Sequence, residues 1–312
     1  MVFEEVKNPV IDSKSFGLEG REPGISGFMR IRNEAQFIEA TVRSWLPYVD
    51  ELIIVYNDCQ DGTDIIVKYI ERDYPNKIKI YHYVPKVNSF GTKEFIKSSI
   101  HSPNHFCYYS NYALSKTTKQ ILIKIDGDHI AIPSRMEEIT KELRMKGLSS
   151  NTILTFSGLN VWKIRGDYYM KEGLLSAGDG DCFYFVAHEQ SYFVKHPGIK
   201  EKEILKVRFQ RYYYLGIIFW HTHYMKQSIL TTLPPVTNLV QFSNHLLVIN
   251  NQFKMYPLRK QFLELLDKEK KKVFLQKNSS SQTIQKQLQS NHHPTLWRPS
   301  VSLLSEISSL QL

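Results

Sequence analysis

The sequence predicts an α/β protein in which helices cover both faces of a mostly parallel sheet. Short apolar runs of strand length alternate with segments of helical periodicity between residues 25 and 146. Such alternation is typical of parallel sheets, because a helix usually carries the chain back to the start of the next strand. The chain has 312 residues, 42% of them hydrophobic, which is enough for a large core.

The alternation resolves into four strands, each followed by a helix. We predict strands over residues 25–32, 51–56, 77–84 and 120–125, and helices over residues 33–49, 64–74, 104–117 and 134–146. The second and fourth strands are continuous apolar runs, whereas the third alternates apolar and polar residues. The first two helices carry apolar pairs at helical spacing, Val42 with Trp45 and Ile66 with Ile70, and Ser134 is a candidate N-cap of the last.

The net charge of +9 favours anionic partners, which are nucleic acid, phosphate-bearing ligands or an acidic membrane surface, and the charge alone does not choose among them. We find no zinc-finger spacing and no aromatic RNA-binding strand motif, so nucleic acid is not expected as a partner. Three widely spaced cysteines, Cys59, Cys107 and Cys182, form neither a metal-type pair nor a disulfide framework. With no secretory signal and no apolar run of spanning length, the expected location is the cytoplasm.

Carboxylates follow two of the predicted strands directly. Asp58 and Asp61 come after the second strand, and Asp126 and Asp128 come after the fourth. Ligands of open α/β sheets bind beyond the carboxyl ends of the strands, so these side chains are expected at one binding edge. The Asp-Gly-Asp turn offers oxygen ligands for Mg²⁺ or Mn²⁺, although so short a motif also occurs as an ordinary acidic turn.

Four motifs in this order resemble those of family-2 glycosyltransferases, which have the GT-A fold. They are Arg32-Asn33-Glu34, the turn from Asp58 to Thr63, Asn111, and Asp126-Gly127-Asp128. The resemblance covers about residues 25–145 and implies a nucleotide-sugar donor and a bound Mn²⁺ or Mg²⁺. An ion in such a site would neutralise the diphosphate and so make it a better leaving group.

The resemblance also implies roles for these positions. It points to nucleotide contacts by Arg32, Glu34, Asp58, Asp61, Asn111 and Asp126, and to metal binding by Asp128 and Asp126. Position 111 is Asn where the family often has Arg, which puts a direct charge contact there in doubt. For Glu34, the alternative is a helix-start acid that is favoured by the helix dipole.

An inverting transfer needs a base that takes the proton of the acceptor hydroxyl. Asp179 and Asp181 are the first candidates, because they lie in a glycine-flanked turn before an apolar strand. His188 and Glu189 are alternatives, and an ordinary solvated turn remains open for the two aspartates.

The segment "WHTHYMK" ends another predicted strand. On a strand, His221 and His223 point to the same face, so one of them could contact the metal, and His223 is favoured. His221 and Lys226 could contact the phosphates. The alternative is that both imidazoles are partly buried and hydrogen-bonded.

The domain organisation follows from these motifs. We predict an irregular segment over residues 1–24, a catalytic domain over 25–230 with a nucleotide-binding half (25–145) and an acceptor half (146–230), and a C-terminal helical extension and tail over 231–312. Within the extension, residues 255–275 form a basic amphipathic segment that could lie on an anionic leaflet or pack on its own domain.

The sequence therefore predicts a metal-dependent inverting glycosyltransferase with a UDP-linked donor and a saccharide or glycolipid acceptor of a bacterial surface polysaccharide or lipopolysaccharide. A sugar nucleotidyltransferase is an alternative, but it would need a glycine-rich phosphate loop after the first strand, and no glycine follows Gly27 there. A non-catalytic saccharide-assembly protein is a third possibility, which the intact Asp-Gly-Asp motif disfavours.

Overall fold

A computed structural model describes residues 3–164, 167–171, 176–177, 182–199, 202–207, 211–226 and 239–241. The helices are α1 (Ile38–Trp45), α2 (Thr63–Asp73), α3 (Lys93–Lys97), α4 (Phe106–Ser115) and α5 (Pro133–Lys146). The strands are β1 (Phe3–Val6), β2 (Glu22–Ile31), β3 (Glu51–Tyr56), β4 (Ile78–Tyr83), β5 (Lys119–Ile125), β6 (His129–Ala131), β7 (Thr152–Asn160), β8 (Trp162–Ile164), β9 (Asp167–Lys171), β10 (Ser176–Ala177), β11 (Phe183–Val186), β12 (Tyr192–Lys195), β13 (Glu203–Lys206), β14 (Arg211–His221) and β15 (Leu239–Gln241).

The chain divides into two compact units. The first unit comprises residues 1–156 and 178–212, and the second comprises residues 157–177 and 213–312. In the second unit, β8, β9 and β15 form a small antiparallel sheet, and β10 pairs with the end of β7.

The first unit is built on a mixed sheet with the strand order β1-β4-β3-β2-β5-β11-β7. The five strands from β1 to β5 in this order run parallel, and β11 and β7 continue the sheet antiparallel. Every residue of β3 is buried, which is typical of a parallel strand that is covered on both faces. The predicted α/β class with a mostly parallel sheet is therefore confirmed.

One face of this sheet packs against α4. Phe28 of β2 and Val55 of β3 lie in one apolar cluster with Tyr109 and Tyr112 of α4. Side chains alternate between the faces of a strand, so the fully buried Met29 belongs to the opposite face. The core therefore lies on both sides of the parallel strands and holds their ends in place.

The predicted strands match the structure to within a few residues, but the N-terminal prediction is wrong. Residues 1–24 were expected to be irregular, whereas β1 pairs in parallel with β4, from Phe3 opposite Ile80 to Val6 opposite Tyr83. Three of the four β1 residues are exposed, so this edge strand has neither an apolar run nor an alternating pattern. The apolar strand predicted after Asp181 is present as β11, and the strand predicted to end in "WHTHYMK" is present as β14. Residues 255–275 lie outside the described residues.

The predicted first helix is also shorter than expected. The prediction covered residues 33–49, but α1 begins only at Ile38. The Asn33 side chain and the backbone amides of Glu34 and Ala35 bond to the neighbouring loop. Among the described residues, none of the helices is both long and apolar enough to cross a membrane.

Candidate active site

Three loops lie at the carboxyl ends of the parallel strands in the first unit. They follow β2 at Ile31, β3 at Tyr56 and β5 at Ile125, and these three strands are direct neighbours in the sheet. Parallel neighbours end at the same edge, which is where open α/β sheets bind their ligands. Three of the four motifs, those at residues 32–34, 58–63 and 126–128, are therefore brought together at this edge.

The loops after β2 and β3 are fastened to each other by backbone and side-chain hydrogen bonds. The Glu34 amide donates to Oγ1 of Thr63 at 2.7 Å, and the Ala35 amide donates to Oδ2 of Asp61 at 2.9 Å. Thr63 donates to the other carboxylate oxygen of Asp61 from its amide at 3.0 Å and from its hydroxyl at 2.6 Å. Both loops are thereby held in one conformation.

Asp61 uses both of its carboxylate oxygens in this junction. Burial acts to raise the pKa of Asp61, but the hydrogen bonds from Thr63 and Ala35 outweigh burial and lower it. Asp61 thus has a structural role in this junction, and its contact with the nucleotide base stays a prediction. The Asp-Gly-Thr sequence carries this signal, because its carboxylate accepts the bond from the backbone amide of Thr63, the first residue of α2.

Arg32 and Asp58 form an ion pair in the same two loops, with Nη2 and Oδ2 2.7 Å apart and both side chains about 40% exposed. Asn33 and Asp58 have φ angles of 56° and 48°, in the left-handed region that Asn and Asp tolerate better than most residues. A bond from the Gln60 amide to Oδ1 of Asn33, at 2.8 Å, supports this conformation. Arg32 and Asp58 are therefore presented side by side at the binding edge.

Asp126 lies among three basic side chains. Its carboxylate oxygens are 3.3 Å from Nζ of Lys124, 3.7 Å from Nη2 of Arg30 and 3.8 Å from Nε2 of His129. Burial acts to raise the pKa of Asp126, but Lys124, His129 and Arg30 outweigh burial and lower the pKa to about 2. Asp126 is consequently ionised throughout the physiological pH range.

Asp128 and His129 form the deeper part of the same turn. Nε2 of His129 lies 3.8 Å from Oδ1 of Asp128, and both residues are buried. The carbonyl of His129 accepts a hydrogen bond from Nε1 of Trp45 at 2.6 Å, which fixes the turn to α1. A carboxylate and an imidazole together suit Mn²⁺, and the carboxylates also suit Mg²⁺, so the donor set fits the predicted ion. The sequence prediction missed His129, although it directly follows the Asp-Gly-Asp motif.

Gly127 allows this turn to approach the loop after β2. A β-carbon at position 127 would lie 2.6 Å from Cγ of Glu34, closer than non-bonded carbons can come. The carbonyl of Gly127 accepts a hydrogen bond from Oγ1 of Thr41 at 2.9 Å. Glu34 therefore packs on the Asp-Gly-Asp turn, and the three loops form one assembly.

Asn111 links α4 to β12, and its nucleotide contact stays a prediction. Its side-chain amide donates to the carbonyl of Phe193 at 2.9 Å, and its side-chain oxygen accepts from the Phe193 amide at 2.6 Å. Asn111 therefore fastens β12 to α4, because its side-chain amide pairs with both backbone polar groups of Phe193, as a neighbouring strand would.

The alternative bases His188 and Glu189 are placed at the wrong edge of the sheet. They follow the end of β11, which runs antiparallel to β5 with Val186 opposite Ile121, near the start of β5. The proposal of His188 or Glu189 as the base is therefore corrected, because the antiparallel direction of β11 was not predicted. Asp179 and Asp181 lie outside the described residues.

The histidines of the second unit lie close to each other. The rings of His221 and His223 are nearly parallel, at 14°, with centroids 5.6 Å apart, and Nδ1 of His221 is 2.5 Å from Oδ1 of Asn160. His223 is not on the strand as predicted, because β14 ends at His221 and a 3₁₀ turn spans His223–Met225. Lys226 follows this turn directly.

Several solved structures are similar to the chain at low sequence identity. Staphylococcus aureus TarS (residues 1–349) matches with a TM-score of 0.37 and 14% identity, over 61% of this chain and 59% of that one. Glucosyl-3-phosphoglycerate synthase from Mycobacterium tuberculosis, with Mn²⁺, UDP and phosphoglyceric acid, has a TM-score of 0.36 and 15% identity, over 70% of this chain and 77% of that one.

The mannosyltransferase PcManGT from Pyrobaculum calidifontis, in complex with GDP-Man and Mn²⁺, has a TM-score of 0.36 and 13% identity, over 63% of this chain and 54% of that one. The chain thus spans about three fifths of the TarS chain. A comparison with curated proteins gives no match.

The sequence also matches the profile of a protein family. The match covers residues 19–274, and the family is described as beta-1,4-N-acetylgalactosaminyltransferase (CgtA). This range includes the three loops at the carboxyl edge and most of the chain. The predicted glycosyltransferase class is thereby confirmed, and the chain belongs to the beta-1,4-N-acetylgalactosaminyltransferase (CgtA) family.

Proposed function

We propose that the protein transfers an N-acetylhexosamine, with N-acetylgalactosamine the first candidate, from a UDP-linked donor to a saccharide hydroxyl with inversion at the anomeric carbon. The family description supports both the sugar and the β linkage of the product. Because the sugar of UDP-N-acetylgalactosamine is α-linked, a β product requires inversion. The observation that carries the proposal is the Asp126-Gly127-Asp128 turn, which packs against the Glu34 loop at the carboxyl edge of the sheet.

The donor nucleotide would bind to the loops after β2 and β3. Arg32 and Asp58 are partly exposed there and can form hydrogen bonds with a base or a ribose. Asp126 is the proposed partner of the ribose, because its ionised carboxylate accepts hydrogen bonds from hydroxyl groups. Glu34 supports this site through its contact with Gly127.

Asp128, Asp126 and His129 would hold Mn²⁺ or Mg²⁺. A bound ion would supply positive charge to the diphosphate as the bond to the sugar breaks. We also propose that His223 binds the ion and that His221 and Lys226 contact the phosphates. This proposal is supported by their position at the end of β14, in the range that matches the family profile.

Asp181 or Asp179 is the proposed base. It would take the proton of the acceptor hydroxyl while the hydroxyl oxygen bonds to the anomeric carbon and UDP leaves from the opposite side. The position of Cys182 supports this role. Tyr184 pairs with Ile123 in antiparallel register, so Cys182, two residues earlier, is level with Ile125 at the carboxyl edge. Asp181 directly precedes Cys182 in the sequence.

The acceptor is proposed to be a saccharide or glycolipid of a bacterial surface polysaccharide or lipopolysaccharide. The net charge of +9 and the basic segment over residues 255–275 support contact with an anionic membrane surface from the cytoplasmic side. Nucleic acid is not proposed as a partner, because the sequence has no zinc-finger spacing and no aromatic RNA-binding strand motif.

The test is release of the nucleotide from a panel of UDP-, GDP- and CMP-linked sugars, with Mn²⁺, with Mg²⁺ and with neither. We expect UDP release that depends on the metal and is fastest with UDP-N-acetylgalactosamine. Asp128→Asn is compared with Asp73→Asn, which changes an exposed carboxylate at the end of α2. Proton NMR of the disaccharide product should show a β linkage.

Failure of every nucleotide sugar to react would refute the transferase proposal. The nucleotidyltransferase alternative has its own signature, which is release of pyrophosphate from a nucleoside triphosphate and a sugar phosphate. Pyrophosphate release that requires Asp128 would favour that alternative.

A further inference from the structure

Arg30 is a buried charged residue at the binding edge that the sequence motifs do not include. Only 5% of its side chain is exposed. The guanidinium carbon lies 4.9 Å from the ring centre of Phe106 and 5.4 Å from that of Phe193. The planar cation is thus placed between two aromatic rings, which fixes its plane and limits its possible partners.

Glu203 on β13 holds the guanidinium in this position. Its first carboxylate oxygen forms an ion pair with Nη1 of Arg30, and its second accepts a hydrogen bond from Oγ of Ser110 at 2.6 Å. Nη1 of Arg30 also donates to the same Ser110 oxygen. The Glu203 side chain is only 9% exposed, so this three-residue network is shielded from water and from screening by salt.

The remaining charged contact of Arg30 is with Asp126. Nη2 of Arg30 lies 3.7 Å from Oδ1 of Asp126, while Nη1 is used by Glu203 and Ser110. In the parallel register of β2 and β5, Phe28 is opposite Lys124 and Met29 is opposite Ile125. The residues that follow in this register are Arg30 and Asp126, which places them on the same face of the sheet.

We propose that Arg30 and Glu203 are positioning residues for Asp126, through which the β12–β13 pair of strands sets the geometry of the donor site. The inference rests on the proposed function for its effect on the donor. It gives Glu203, which lies far from Asp126 in the sequence, a role in the donor site. Asn111 strengthens this link, because its bonds to Phe193 fasten β12 to the same helix that carries Ser110.

An ion pair that contributes only to stability can be distinguished from one that positions Asp126. Removal of one partner of a buried pair leaves an uncompensated charge and destabilises a protein, whereas replacement of both by apolar residues of similar size is often neutral. The double variant Arg30→Met with Glu203→Met therefore separates positioning from stability. Glu51→Met with Lys79→Met is the matched control, since this pair joins β3 to β4 at the other end of the sheet.

Two readouts decide the proposal. Hydrogen exchange followed by mass spectrometry reports the order of the turn over residues 126–131, and the kcat/KM for UDP-N-acetylgalactosamine with Mn²⁺ reports the donor site. For the Arg30/Glu203 variant we expect exchange in this turn to become about 10-fold faster and kcat/KM to fall about 10- to 100-fold, as for residues that orient metal ligands. The control should change neither in the folded protein.

Arg30→Lys is the second variant, and it remains informative if the double variant does not fold. It keeps the charge but loses the fork that reaches Glu203 and Asp126 together, so we expect a smaller change of the same sign in both readouts. Unchanged exchange over residues 126–131 would overturn the proposal, and so would faster exchange with an unchanged kcat/KM. If the wild-type protein turns over no nucleotide sugar, the proposed function fails, and the exchange readout still decides whether Arg30 and Glu203 position Asp126.

Discussion

Glu51 and Asp126 lie at opposite ends of the parallel strands in the first unit and have different surroundings. At the amino end, Glu51 is buried with a side chain only 4% exposed and accepts hydrogen bonds from Ser26 at 2.5 Å, Lys79 at 2.9 Å and the Thr118 amide. At the carboxyl end, the Asp126 side chain is 31% exposed. Glu51 is enclosed by hydrogen-bond donors of its own protein and serves the fold, whereas Asp126 opens to solvent beside other charges and can serve a ligand.

The arginines at the two ends differ in the same way. At the amino end, Arg21 donates to three backbone carbonyls, those of Ser15 at 2.5 Å, Gly17 at 2.7 Å and Lys119 at 2.8 Å. Arg21 therefore joins the segment before β2 to the start of β5. At the carboxyl end, Arg32 pairs with Asp58 in two partly exposed loops and is open to a ligand. We therefore expect substitutions at the amino end to change stability and those at the carboxyl end to change activity.

The largest effect is expected for Asp128→Asn. This change removes a negative charge that the proposed metal ion needs, while the side chain keeps its size. A metal ion supplies several kcal/mol to the reaction, so we expect kcat/KM to fall by at least about 100-fold with Mn²⁺. Initial rates of UDP release measure this. A wild-type rate for Asp128→Asn would contradict the metal assignment.

Glu51→Gln is expected to cost stability without loss of activity in the folded protein. The neutral amide cannot satisfy Ser26, Lys79 and Thr118 as the carboxylate does, and a buried group left without its partner costs about 1–3 kcal/mol. Urea unfolding measures the free energy of unfolding. A loss of activity per folded molecule at unchanged stability would contradict the division between the two ends.

The stability difference between wild type and Glu51→Gln should depend on pH. Burial acts to raise the pKa of Glu51, but the hydrogen bonds from Ser26, Lys79 and Thr118 outweigh burial and lower it in the folded state. Its contribution to stability is therefore present above the unfolded pKa of about 4.3 and is lost as the pH falls through the lower folded pKa. The difference in unfolding free energy between wild type and Glu51→Gln should shrink over this range, and a constant difference would contradict the assignment.

Gly127→Ala should have a smaller effect on activity than Asp128→Asn. The new methyl group would force the Glu34 side chain away from the Asp-Gly-Asp turn, because the present geometry leaves 2.6 Å between the two carbons. We expect about a 10-fold increase in the KM for the donor, which corresponds to about 1.4 kcal/mol. Gly91→Ala is the control, since no atom lies within 4 Å of a β-carbon there, although its φ of 75° adds backbone strain. An unchanged KM for Gly127→Ala would contradict the contact.

The smallest effect is expected for Thr63→Val compared with Thr63→Ser. Valine has the shape of threonine but cannot accept from the Glu34 amide or donate to Asp61. Loss of these bonds should destabilise the junction of the two loops by about 1 kcal/mol and raise the KM for the donor several-fold. Serine keeps the hydroxyl and should stay near wild type. Equal kinetics for the two variants would contradict the role of the hydroxyl.

Local patterns were sufficient to predict the parallel strands and the Asp-Gly-Asp turn. β3 is a continuous apolar run whose predicted and observed bounds coincide at residues 51–56. The motif order also placed Arg32 and Asp58 at one edge, because parallel neighbours end together.

Long-range contacts could not be predicted in the same way. Arg30 and Glu203 are 173 residues apart in sequence, and neither belongs to a motif. The direction of β11 determines where His188 lies, and a four-residue strand carries no signal of its direction. β1 was missed because its sequence, Phe-Glu-Glu-Val, has neither an apolar run nor an alternating pattern.

Hydrogen exchange of the wild-type protein, with and without UDP and Mn²⁺, tests the division between the two ends most directly. We expect protection over residues 32–34, 57–63 and 126–129, at the carboxyl end of the strands. Residues 15–21 and 117–119, at the amino end, should exchange at the same rate in both states. Protection at the amino end, or no protection at the carboxyl end, would contradict the assignment of the carboxyl edge as the donor site.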